Sequence, residues 1–162
     1  MKDKFERIYS AEELATAIIP KGKWTISHYG SDGQLITQIV GTNVVTTNGK
    51  DFVASFLVSA AAAASTFTCK YVAVGTGTTP ETASDTALVS ELNRTTATVS
   101  HNGTGVYQLV ASFATNSATG AVTEYGIFSS STAGTMLARD TESVINVGAG
   151  DTLTVTAQIT LS

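Results

Sequence analysis

From residue 23 onward, apolar and polar positions alternate in short runs. The last run is the longest. Leu153, Val155, Ala157, Ile159 and Leu161 fall on one side, and Thr152, Thr154, Thr156, Gln158 and Thr160 on the other. A period of two is the mark of a strand with one buried face, and a threonine stripe suits the other face. The same pattern predicts strands at 24–28, 34–40, 43–47, 67–75, 95–101, 122–128 and 135–140. A return strand carries Tyr107, Leu109, Ala111 and Phe113 on one face, and Val144-Ile145 adds a short strand. The adjacent Leu35 and Ile36 predict that the 34–40 strand is the more buried kind. Turn chemistry separates the runs at Ser31-Asp32-Gly33, Asn102-Gly103, 115–120, 129–134 and Gly148-Ala149-Gly150.

The period changes twice. Phe52, Val53, Phe56, Leu57, Ala60, Ala61 and Ala64 recur at helical spacing, behind Asn48 as N-cap and Asp51 in the first turn. This predicts one core helix. Near the N-terminus, Ser10 and Glu13 form a capping box, Leu14 and Ile18 share a face flanked by Ile19, and Pro20 stops the run. This predicts a short amphipathic helix on an arm, with Phe5, Leu14, Ile18 and Ile19 as candidate docking residues. Residues 76–84 read as a loop, and 85–92 as holding one helical turn capped by Ser84 or Asp85. The whole is mainly β: an antiparallel sandwich or barrel, jelly-roll-like, with one core helix and an N-terminal helical arm. Residues 1–22 form the arm and residues 23–162 the β-domain.

Composition narrows the picture. Of 162 residues, 27 are Thr and 16 are Ser, while only 14% are charged, against about 25% in an average soluble domain. Five of the nine Lys and Arg residues lie within residues 1–23, leaving a β-body with few charged side chains. A net charge of −4 without a basic block argues against a nucleic-acid partner. No apolar run reaches the roughly 18 residues of a membrane helix. The N-terminus lacks the apolar core of a signal peptide. One cysteine, Cys69, rules out an internal disulfide framework and a cysteine-based zinc site.

Candidate chemistry is sparse. Gly75-Thr76-Gly77-Thr78-Thr79 lacks the Lys-Ser/Thr of a phosphate loop. His28 and His101, at strand ends, read as surface or turn histidines without a nucleophile nearby in sequence. Cys69 reads as a buried inert thiol. Asp32 lacks the carboxylate series of a calcium loop. Asn93-Arg94-Thr95 and Asn102-Gly103-Thr104 match a glycosylation sequon that has no meaning without secretion. Among Asp85, Glu91, Glu124 and Asp151, Glu124 stands out in an otherwise neutral strand. Only Arg94 and Arg139 are arginines of the β-region, so one of them is the expected partner of Glu124 in a structural ion pair. No cofactor, metal site or catalytic residue is expected.

The order of several short pieces resembles a recurring pattern among virion proteins of tailed bacteriophages. The pieces are Asn43-Val44-Val45, Asn48-Gly49-Lys50-Asp51, Tyr71-Val72-Ala73-Val74-Gly75-Thr76-Gly77-Thr78-Thr79-Pro80, Asp85-Thr86-Ala87-Leu88 and Glu91-Leu92-Asn93-Arg94. Thr123-Glu124-Tyr125-Gly126-Ile127-Phe128, Gly134-Thr135-Met136-Leu137-Ala138-Arg139 and Gly150-Asp151-Thr152-Leu153-Thr154-Val155 follow. The resemblance implies a β-rich, non-enzymatic, multimeric component of the virion, assembled in the host cytoplasm. Its expected partners are other virion proteins, either the major capsid protein or tail and portal components, and further copies of itself, with a trimer favoured. A capsid decoration (cement) protein is the leading expectation. A tail, neck or fibre-attachment protein is the alternative. A host-glycan-binding module or an enzyme is expected less, because Trp24 is the sole tryptophan and no acid pair is evident.

Overall fold

The computed structural model describes residues 21–58 and 69–160. Among these residues there are nine strands and one helix. They are β1 (Lys21–Tyr29), β2 (Leu35–Val45), α1 (Thr47–Val58), β3 (Tyr71–Gly75), β4 (Glu91–Thr96), β5 (Thr98–His101), β6 (Val106–Phe113), β7 (Gly120–Phe128), β8 (Met136–Val147) and β9 (Thr152–Thr160). Every ladder is antiparallel. The strand order is β4-β3-β7-β8-β2-β1-β9-β6-β5.

The two outermost strands of that order, β4 and β5, are consecutive in the chain and separated only by Ala97. Buried Ala97 donates its N–H to the Lys70 carbonyl at 2.7 Å, and there the chain leaves the partner of β4 for the partner of β5. One kinked strand therefore lies on both edges, and the sheet is nearly closed into a barrel. Closure of this kind satisfies edge groups that an open sheet would expose. Strand β2 is the second corner. It pairs with β1 from Leu35 to Asn43, but with β8 only through Val44↔Arg139 and Val45↔Ala138. Beyond those two pairs β2 and β8 part.

Inward side chains of both halves form one core around Trp24, Ile26, Leu109, Phe113, Tyr125, Ile127, Leu153 and Val155. Alternation in β9 is strict: Leu153, Val155, Ala157 and Ile159 are buried, and the threonines are half-buried. A smaller cluster of Ala73, Leu88, Phe128 and Met136 lies apart from it.

Several expectations change. The strands expected at 34–40 and 43–47 are one long strand, Leu35–Val45, because the chain bends without breaking as it passes from β1 to β8. Val144-Ile145 likewise continues β8. Leu35 and Ile36 are exposed, at 52% and 58%, since nothing described covers β2 where it leaves the barrel wall. The helix begins two residues earlier than Asn48 implies. The Thr46 hydroxyl accepts the Gly49 N–H at 2.9 Å and donates to the Met136 carbonyl at 2.6 Å, so one buried side chain caps α1 and ties it to β8. Asp51 therefore falls outside the first turn. Gly49 permits the contact, because a Cβ there would sit 2.2 Å from the Leu137 carbonyl oxygen. No helical turn forms within 85–92; residues 85–90 are a bent loop and β4 begins at Glu91. Lys21 and Gly22 are already part of β1 and pair with β9. The expected arm helix and its docking residues Phe5, Leu14, Ile18 and Ile19 lie outside the described residues, as does the end of the core helix near Ala64.

Candidate functional site

Glu124 lies on β7, opposite Gly75 of β3 on one side and Thr141 of β8 on the other. Its side chain is wholly buried. Its two oxygens accept the backbone N–H groups of Gly77 (2.9 Å), Ser90 (2.7 Å) and Val89 (2.9 Å). Arg139 donates from Nη2 at 2.9 Å and from Nε at 3.3 Å. The guanidinium also reaches Asp85 Oδ2 at 2.9 Å and the Thr79 carbonyl at 2.9 Å. Asp85 in turn holds the hydroxyl and N–H of Thr82. Three charged side chains thus fasten the segment 76–90 to β7 and β8. Gly75 and Gly77 make the approach possible, since a Cβ on either would lie within 2.6 Å of Glu124 Oε1.

Burial alone would raise the Glu124 pKa. The N–H groups of Val89 and Ser90, the Arg139 guanidinium and the Gly77 N–H outweigh it, and the carboxyl is held below its ordinary range. For Asp85, burial is likewise outweighed by Thr82 and Arg139, and its pKa is lowered. Every carboxylate oxygen and guanidinium nitrogen of the pair has a protein partner. The arrangement is a buried, fully hydrogen-bonded staple.

The other sequence candidates fall in separate places. Arg94 does not touch Glu124. It makes a two-pronged pair with Glu91 at 2.7 and 3.0 Å, donates to the carbonyls of Ser130 and Ala133, and lies 3.6 Å over the Phe128 ring. It fastens the β7–β8 turn as Arg139 fastens 76–90. Of the two arginines, Arg139 is the partner of Glu124.

His28 is buried, contrary to the surface reading, and its Nε2 lies 2.9 Å from Asp151 Oδ2. Asp151 also accepts the Gly148 N–H across the β8–β9 turn. The His28 contact and the Gly148 N–H lower its pKa. His101 is exposed. Cys69 is buried, and burial pushes its thiol up to about 12, as an inert thiol requires. The Tyr107 hydroxyl donates to the Cys69 carbonyl. Asp32 accepts the Gln34 N–H within its turn.

Two further features emerge. The first is the outer stretch of β2, where Leu35, Ile36 and Val40 are more than half exposed and no residue of the strand is charged. From Leu35 to Asn43 one edge of β2 has no ladder partner among the described residues. The second is the cleft where β2 and β8 part, of about 610 Å³, lined on one side by Lys21 and Lys23, on the other by Asp140 and Glu142, with Glu81 and Val40 beside them. Asp140 is 1% exposed. Burial and the nearby Glu142 and Glu81 carboxylates push its pKa up to about 7, against smaller opposing effects of the Thr141 N–H and Arg139. The sequence contains a signal for this acid pair. Asp140 and Glu142 are two residues apart, the same-face spacing of a strand, but an expected strand end at 140 hid it. Among the described residues no group of three or more His, Cys, Asp and Glu side chains is placed to hold a metal ion.

Comparison of the chain with protein-family models, curated proteins and solved structures finds no match.

Proposed function

We propose that this chain is a non-enzymatic structural protein of a tailed-phage virion, and within the particle a capsid decoration protein. Its N-terminal region binds the shell and its jelly-roll-like barrel stands outward, in a homotrimer. The observation that carries the assembly role is β2. An uncharged strand with three exposed apolar side chains and an edge without a ladder partner from Leu35 to Asn43 lacks the lysines and prolines that keep edges from associating. Such a surface is suited to burial against another chain. The virion setting rests on the sequence resemblance.

Two observations support the non-enzymatic part. Both Glu124 oxygens and all three Arg139 nitrogens are engaged by protein partners. Each described aromatic ring is buried or half-buried, which disfavours a glycan-stacking surface. The test is copy number per particle together with a Leu35→Thr, Ile36→Thr, Val40→Thr variant. Hundreds of copies, and loss of incorporation by a variant that still folds, are expected. A handful of copies places the protein in the tail or neck instead. Full incorporation of the variant removes β2 from the assembly role.

A further inference from the structure

Buried polar atoms almost always have a partner, and those that lack one call for an explanation. Among the described residues, Trp24 Nε1, Tyr125 Oη, Asp140 Oδ2 and the side-chain amide of Asn43 are buried without one. Three of these side chains are neighbours. Tyr125 stands opposite Asp140 across the β7–β8 ladder, and its ring centroid lies 6.1 Å from that of Trp24.

Asp140 lines the cleft between β2 and β8, and there its free oxygen has company. A Cβ placed on Gly41 would lie 3.1 Å from Asp140 Oδ2 and 1.6 Å from Glu142 Oε1. The two carboxylate oxygens converge on the space that a side chain at 41 would fill.

We propose that this cleft binds a primary alkylammonium group, with Asp140 Oδ2 and Glu142 Oε1 as its acceptors. The donor set selects the ligand. A guanidinium favours two parallel bonds to one carboxylate, whereas here single oxygens of two carboxylates face one point, which suits a compact charge with several donors. A metal ion is disfavoured because no three ligating side chains are gathered. The cleft is also far larger than a bare ion needs, and Val40 offers an apolar wall for an alkyl stem.

Lys21 and Lys23 face the acids across the cleft, and neither makes an ion pair within 4.0 Å among the described residues. Arg139, next in the chain, is engaged by Glu124 and Asp85. The charges around Asp140 are therefore Glu142, Glu81, Lys21, Lys23 and Arg139, with Tyr125 behind. An ammonium seated between the carboxylates relieves their mutual repulsion. The alkylammonium can come from a free amine or from a lysine of a polypeptide lying along the open edge of β2.

The experiment uses the full chain at pH 8, with emission from Trp24, the sole tryptophan, as the readout. Butylammonium chloride and the peptide acetyl-Thr-Lys-Thr-amide are titrated against sodium chloride and calcium chloride at matched ionic strength. Both amines are expected to give a saturable change, weakened about tenfold or more by Asp140→Asn and by Glu142→Gln. Glu142 is partly exposed, so its variant keeps the test open if Asp140→Asn fails to fold. Tighter binding of the peptide supports a polypeptide source, and equal binding a free amine. A response that sodium chloride reproduces, a response to calcium alone, or amine binding unchanged in a folded variant overturns the proposal.

Discussion

Glu124→Gln isolates the staple at nearly constant shape. In the native protein Oε1 accepts from Gly77 and Ser90, and Oε2 accepts from Val89 and twice from Arg139. All five partners are donors. A glutamine must turn its own NH2 toward one set or the other. In one orientation it meets Gly77 and Ser90, in the other Val89 and Arg139, and either way at least two buried donors lose their acceptor. The carboxylate charge that balances Arg139 is lost as well.

Removing one partner of a buried pair costs about 3–5 kcal/mol. At about 2–4 °C per kcal/mol in a chain of this size, the melting temperature should fall by roughly 10 °C. The pH dependence follows from the depressed carboxyl. Its contribution is full above the unfolded-state value of about 4.3 and is lost as pH falls through the lower folded value, so the variant should lack this part of the acid-induced loss. Urea denaturation at pH 7 and pH 3 reads the stability, and amide exchange reads Gly77, Val89 and Ser90. A variant with the wild-type midpoint and unchanged protection at those amides refutes the staple.

Gly77→Ala should destabilise without touching any charge, because a methyl would meet Glu124 Oε1 at 2.5 Å and Val89 Cβ at 2.6 Å; a thermal melt equal to wild type would contradict the packing. Asp140→Asn should act in the opposite sense. The raised folded value near 7 means that the contribution of Asp140 itself is most favourable below about pH 4 and falls as pH rises toward 7. At about 1.4 kcal/mol per pH unit between the two values, the loss is on the order of 4 kcal/mol. The variant should thus be more stable than wild type at pH 8, with no such gain at pH 3, and parallel urea curves across that range would disprove the effect. Thr46→Ala removes the α1 cap and its anchor on β8; a loss of about 1 kcal/mol is expected, and a variant with undiminished denaturation midpoint would return the cap to Asn48.

What the sequence made legible was what depends on nearest neighbours. Period two in β9 and β6, and the core residues it implies, follow from the strand itself. Boundaries that depend on partners were not legible. Whether 35–45 is one strand or two depends on β1 and β8, which hold opposite ends of β2. Leu35 and Ile36 read as buried because an apolar pair normally seeks a core, and only the departure of β2 from β8 leaves them outside. Glu124 was legible as a charge that needs a partner. Its choice of Arg139 was not, because a bulge between Val122 and Glu124 sets which β8 residue shares its face. The role of Gly75 and Gly77 had no local signature either, since the approach they permit to Glu124 is to a side chain 49 and 47 residues away.

The low charge of the β-body acquires a physical meaning from where the arginines lie. Both arginines of the barrel are turned inward onto loops. Arg139 holds 76–90 and Arg94 holds the β7–β8 turn, each by a carboxylate and by backbone carbonyls. Loops rich in threonine, serine and glycine have little apolar surface to bury, and a buried arginine with several donors can order them where a hydrophobic anchor is lacking. The outward surface of β2 is left uncharged. Under the proposed assembly role, association there would remove apolar surface from water without stripping hydration from ions, the step that makes charged contacts expensive. The few charges of the barrel are therefore spent on its loops, and β2 is left with the uncharged surface that the proposed assembly role needs.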